Sequence, residues 1–298
     1  MTLRSIIIAV LPVCILISSC TERINIDLNN IQPRLVVDGS VTPDTTAHRL
    51  LITRTTDYYN PDISNLGVTG AMIYIVESDD NGNGGNSDER IIPYHEIENG
   101  LYISDSNFFG TEGKTYTLHI NNVDIDGDGE MEEYTASETM PYVFARFDSI
   151  SAVHGKGLPP FFDGRSDSGW NIRLYGQDPP GTKEFYGFML TINDTSFDAH
   201  FLEMFRISDD IIQGAYIAGI ALYFFSDNGR HPLKKGDILK MEGVSITERF
   251  NTYITMLQNI GGIPLFGGPP SNVTGNISNG ALGYFSVYSN RKALTVLQ

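Results

Sequence analysis

Punctuation constrains this chain more than any single motif does. After Pro33, Gly, Asn, Asp and Pro cut every hydrophobic run short, and the pieces between them are rich in Val, Ile, Leu and Thr. Short β-branched runs bounded by turn formers read as strands. They are expected over 34–41, 48–55, 68–77, 90–97, 101–104, 115–121 and 133–139, enough for one sandwich. Asn99-Gly100 is the strongest hairpin signal, since both residues tolerate the positive φ of a two-residue turn. In 68–77, Ala71, Ile73 and Ile75 alternate with Met72, Tyr74 and Val76. Both faces are apolar, so this run is expected to be a central strand covered on both sides.

The texture changes near 141–146. Residues 21–146 carry 22 Asp/Glu against 7 Lys/Arg, whereas 147–298 carry 14 against 12, within a chain of net charge −16. An acidic surface repels nucleic acid and anionic lipid headgroups, which excludes both as partners. Beyond the boundary, strands are expected over 147–153, 170–175, 184–193, 216–225, 238–243, 281–288 and 292–297. One helix stands out near 245–260. Ser245 and Glu248 have capping-box spacing, Ile246, Phe250, Tyr253, Leu257 and Ile260 form an apolar stripe, and Gly261-Gly262 with Pro264 stop it. Core packing over an open face of the second sheet is its expected use. The fold class expected is mainly β, with two sandwich-like domains, 34–146 and 147–298, the second covered by this helix.

The N-terminus reads as an address. Arg4 precedes an apolar segment, Ile6 to Ile17, and Leu16-Ile17-Ser18-Ser19-Cys20 ends it. A segment of about a dozen residues is too short for a membrane span, which needs roughly 20. Small residues before a cysteine match a lipoprotein signal, in which the sulfur carries the acyl anchor. Residues 1–19 are therefore expected to leave as signal peptide, Cys20 to be lipidated, and 20–33 to form a polar tether. Each buried acyl methylene is worth roughly 0.8 kcal/mol, so several chains anchor durably. Cys14 and Cys20 are the only cysteines, so the folded body has neither disulfide nor free thiol and must rely on a packed core.

Asp124, Asp126, Asp128 and Glu130 are the sharpest chemical motif: alternate acids with Gly129 at the turn, as in calcium-binding loops. The twelfth position, where such loops place a bidentate acid, is Thr135. A hairpin tip, where Asp and Gly serve the backbone, explains the same letters. Calcium is the only cofactor expected from this pattern. Residues 79–84 repeat the theme more weakly. Gly110 to Thr115 is too short for a phosphate loop, Ser168 lacks a nucleophile elbow, and the histidines show no H-x-x-x-H spacing. His200 and Glu203 read as a surface pair. Phe161, Phe162, Leu265 and Phe266 lie in Gly/Pro-rich loops and form the candidate partner surface, although loops folding back over the core give the same pattern.

The stretch Pro269 to Phe285, with Asn272, Gly275, Asn276, Gly283 and Tyr284, resembles the closing signature of the Bacteroidetes lipoprotein family catalogued as domain of unknown function 4249. Gly113 to Ile120 and Tyr134 to Pro141 extend the resemblance. It implies an outer-membrane lipoprotein, often encoded beside a TonB-dependent transporter, and brings no catalytic residues with it. The G-A-x-I-x-I and G-K-x-Y-x-L strands of the first half also resemble immunoglobulin-like or transthyretin-like sandwiches. The expected function is a non-enzymatic accessory lipoprotein of the outer membrane, binding a ligand or docking on such a transporter. The alternatives are a structural or adhesive envelope protein with calcium in its acidic loops, and a carboxylate hydrolase, which buried acids converging on a cavity would favour.

Overall fold

The structure, a computed structural model, describes residues 32–56, 64–79, 89–144, 146–157, 168–181, 183–197, 201–260 and 273–298. Residues 33–298 form one unit. In chain order its strands are β1 Leu35–Val41, β2 Arg49–Arg54, β3 Met72–Asp79, β4 Arg90–Glu98, β5 Leu101–Ser104, β6 Lys114–Val123, β7 Glu132–Thr139, β8 Arg146–Lys156 and β9 Ser168–Gln177. There follow β10 Phe185–Ile192, β11 Thr195–Ser196, β12 Phe205–Ser208, β13 Tyr216–Ser226, β14 Ile238–Ile246, the helix α1 Glu248–Ile260, β15 Leu282–Val287 and β16 Ser289–Val296. The fold is mainly β, with one covering helix.

The first half is one eight-stranded sheet, ordered β15-β1-β2-β5-β4-β3-β6-β7. Alternation puts one face of every strand inward: Leu35 and Val37, Leu50 and Ile52, Ile73 and Ile75, Leu118 and Ile120, Phe285 and Val287 share one core. The sheet folds over until its edges meet. Tyr284 Oη donates to Glu138 Oε1 at 2.7 Å, and Ser278 N donates to the Thr135 carbonyl at 2.8 Å. Asn99-Gly100 forms the β4–β5 turn, with Gly100 at φ 74°.

β3 departs from expectation. Its core face is buried, but Met72 on the other face is 62 % exposed. Tyr74 on that face stacks on His119, directly opposite on β6, with centroids 4.8 Å apart. An apolar outer residue is thus screened by a cross-strand neighbour, with no second layer over it among the described residues.

The second half is a sandwich. β13-β9-β8 faces a five-stranded sheet, β11-β10-β14-β16 with β12 also on β10. Between them Ile150, Ile172 and Leu174 meet Tyr186, Phe188, Leu190, Leu239 and Met241. Phe144, at the entry to this half, is fully buried and stacks on Tyr186 at 4.1 Å. The chain passes from the first sheet to this sandwich between the end of β7 at Thr139 and the start of β8 at Arg146, and it returns to the first sheet through β15. That strand pairs with β1 in parallel, Val36 opposite Leu282 through Val41 opposite Val287. One residue later the same run continues as β16 against β14.

The helix begins two residues later than its sequence pattern suggests. Thr247 is the cap, its Oγ1 accepting from Phe250 N at 3.1 Å. Ser245 is still paired opposite Ser289 in the β14–β16 ladder, so its backbone is extended and cannot open a helix. Ile246 likewise belongs to β14, and the buried helix residues are Phe250 and Ile254, with Ile260 49 % exposed.

His48 lies in the first core beside Phe108, 5 % exposed. Its Nε2 reaches the Thr42 carbonyl at 3.0 Å, so that nitrogen carries the proton, while Nδ1 has no partner. Burial lowers its pKa, outweighing the Thr42 hydrogen bond and the charge of Asp44. The unfolded chain therefore binds this proton more readily than the folded one. The contribution of neutral His48 is complete above about pH 6.5 and is lost as pH falls below it. The urea midpoint of the parent should fall more between pH 7.5 and 5.5 than that of His48→Gln. Equal falls in both proteins would refute this assignment.

Candidate functional site

The helix does more than cap one sheet. Its apolar side packs on Val244 and Ile246 of β14, and Phe250 and Tyr253 also lie over Tyr284 of β15, with centroids 4.9 and 4.8 Å away. Arg206 on β12 holds the far side, donating to the Asn251 carbonyl at 3.0 Å and to Thr255 Oγ1 at 3.2 Å. The helix is thereby propped in the corner between the two halves. An open groove of about 820 Å³ remains between it and the outer face of the first sheet.

One wall of the groove is aromatic and aliphatic: Phe201, Leu202, Tyr253 and Leu257. The other comes from outward positions of the sheet, Val36 and Asp38 on β1, Arg49 and Leu51 on β2, and Leu101 on β5. Leu51 and Leu202 are 41 and 44 % exposed, so each wall offers apolar surface to an occupant. Burial, then the charge of Asp38, raises the pKa of Tyr253. Burial and the Glu138 contact do the same for Tyr284. Both phenols are therefore neutral at ordinary pH. The chemistry on offer is apolar contact with charged groups of both signs at the rim, Arg49 against Asp38 and Glu98, which suits recognition.

The acidic loop is where alternate carboxylates were expected, between β6 and β7. Asp124, Asp126 and Asp128 are exposed, with ligand atoms within 4.8 Å of one another. Much of their capacity serves the loop itself. Asp124 accepts from Gly127 N at 2.7 Å and Gly129 N at 3.1 Å, Asp126 from Asp128 N at 3.3 Å, and Asp128 from Glu130 N at 2.8 Å. Glu130 joins through its backbone and lies outside the carboxylate cluster. Gly127 and Gly129 take the positive φ that such turns need. The strand register places Asp79 beside Lys114, at the opposite end of β6 from this loop. Cys20, Phe161, Phe162, Leu265, Phe266 and His200 lie outside the described residues, as do the weaker acidic loop beyond Asp79 and the glycines expected to stop the helix.

The groove was not foreseen from sequence. Its helix wall was legible as an amphipathic stripe, but the sheet wall consists of outward residues that look like ordinary surface. Fold and site together define a mainly β protein with an open groove beside its helix and a C-terminal run, β15 into β16, that pairs first with one half and then with the other. Residues 21–293 match the family model described as Domain of unknown function (DUF4249), and the chain belongs to that family. No curated protein matches it. Much of the stretch that carried the resemblance is the crossing strand and its approach. Asn276 clamps Phe285 there, accepting from its N–H at 2.9 Å and donating to its carbonyl at 2.7 Å.

Proposed function

We propose that this is a non-enzymatic accessory lipoprotein of the outer membrane, anchored through Cys20, whose groove beside α1 receives a segment of a TonB-dependent transporter. The groove is the observation that carries the reading: it is open, largely apolar on both walls, and edged by Arg49, Asp38 and Glu98. Adjacent acids and an arginine at the rim would set the register of an extended or helical segment while the apolar walls supply affinity. The lipid-type N-terminus supports the placement, since an anchored protein meets membrane partners in two dimensions.

A pull-down from detergent-solubilised native envelope tests this. The tagged full-length protein should recover a TonB-dependent transporter, identified by mass spectrometry. Leu51→Asp with Leu202→Asp should cut recovery at least tenfold without changing the melting temperature, because both side chains are exposed in the free protein. Recovery of no transporter by the parent, or equal recovery by the double variant, would remove the groove from the account. An unacylated mature N-terminus would remove the anchor.

A further inference from the structure

Three strand ends carry carboxylates into the protein interior. Asp178 follows β9, Glu184 precedes β10, and Asp209 follows β12 to open a short 3-10 turn, Asp209–Ile211. Asp178 and Asp209 are 0 % exposed and Glu184 is 4 % exposed. One carboxylate oxygen from each lies within 4.8 Å of the other two. The backbone fixes this convergence: Asp209 N donates to the Glu184 carbonyl and Asp178 N to the Ala215 carbonyl, both at 3.1 Å. Asp178 is further oriented by Tyr186 Oη on Oδ1 and Gly214 N on Oδ2, each at 2.7 Å.

Asp209 is different. Neither of its carboxylate oxygens has a hydrogen-bond partner, though both are shut off from solvent. No ion pair among the described residues involves Asp178 or Asp209. Burying an ionised carboxylate with no donor is strongly unfavourable, so the site needs a proton or a cation. A proton on Asp209 would itself need an acceptor, and Asp209 makes no hydrogen bond that supplies one. A cation suits the set better. The donors are all hard oxygens, and a calcium–oxygen distance of about 2.4 Å puts ligands on opposite sides of one ion about 4.8 Å apart. Hydrolysis does not suit it, because the groove beside α1 does not reach these residues and their burial leaves a substrate no approach.

We infer that Asp178, Glu184 and Asp209 bind one hard divalent cation of the calcium type. It would clip β9 of the three-stranded sheet to β10 and β12 of the five-stranded sheet, a structural site inside the second half. This inference is independent of the groove and of the anchor.

The full-length protein in detergent, stripped of metal by chelation, should bind one equivalent of calcium by calorimetry. Its melting temperature should rise by about 5 °C or more at calcium a hundredfold above the dissociation constant. Terbium, a calcium surrogate, should give emission excited through tyrosine, because Tyr186 touches Asp178, and calcium should quench it by displacement. Asp209→Asn should abolish the calorimetric heat, the thermal shift and the emission, whereas Asp124→Asn with Asp126→Asn and Asp128→Asn should keep all three. Should Asp209→Asn fail to fold, Tyr186→Phe still decides the matter by cutting the emission severalfold while metal bound at equilibrium stays at one equivalent. Absence of any response to calcium, magnesium or terbium overturns the inference. So does binding that survives Asp209→Asn and vanishes in the loop variant.

Discussion

Gly283→Ala is expected to destabilise the protein by at least about 3 kcal/mol, through strain at an L-residue-averse φ combined with overpacking. Gly283 sits at φ 88°, and a Cβ there would lie 1.9 Å from the Val37 carbonyl oxygen, across the β15–β1 pairing. Gly275 packs onto Gly283 in turn, its own Cβ position 1.9 Å from the Gly283 carbonyl oxygen. Three backbones are thus layered with no room for a side chain, and relief requires β15 to leave the sheet. Gly127→Ala is the matched control: φ is 79° but nothing lies within 4 Å, so only the conformational cost of about 1 kcal/mol remains. Chemical denaturation of the two variants measures the difference. Similar losses in both would show that the close approach of the strands contributes nothing.

Phe144→Ala should cost about 3–5 kcal/mol, the range for removing a buried aromatic ring. Phe144 is fully buried, stacks on Tyr186, and also meets Phe147 at 5.5 Å and Phe188 at 6.0 Å between centroids. Gly243 leaves the floor for it, with a Cβ position only 3.3 Å from the ring. The neighbours belong to β8, β10 and β14, held in hydrogen-bonded ladders, so the cavity cannot readily collapse. Phe144→Leu should recover more than half of the loss. A urea-unfolding shift below about 1 kcal/mol for the alanine variant would mean that the site relaxes freely.

Local signals were readable and distant partnerships were not. Turn formers and the β-branched runs between them located most strands of both halves, because those signals are local, but the short β11 and β12 were not expected. Asn99-Gly100 announced its turn because backbone φ is a property of the residue. The helix was visible as a stripe, but its start was misplaced at Ser245, since a capping pattern carries no information that β14 is still paired there. The outward face of β3 looked fit for burial, and only the register that sets Tyr74 against His119 explains why it stays open. Nothing in 35–41 names 282–287 as a neighbour, because parallel pairing leaves no turn between partners. The same holds for the interior carboxylates. Asp178, Glu184 and Asp209 each sit at a strand end, where an acid is unremarkable, and only the folded ladders bring them within reach of one another. The groove's sheet wall was hidden for a similar reason: Arg49, Leu51 and Leu101 become a wall only when the helix is docked opposite.

The crossing strand has a consequence for order of assembly. Arg34 Nε donates to the Gly280 carbonyl, a contact 246 residues long in sequence. During synthesis β1 waits as a bare sheet edge until the distant β15 emerges, and such an edge invites pairing with other chains. Completion of the first sheet and of the sandwich is then a single event, triggered by the one run that supplies β15 and β16. Refolding should accordingly be slow for the protein's size, as expected where long loops must close before their contacts are made.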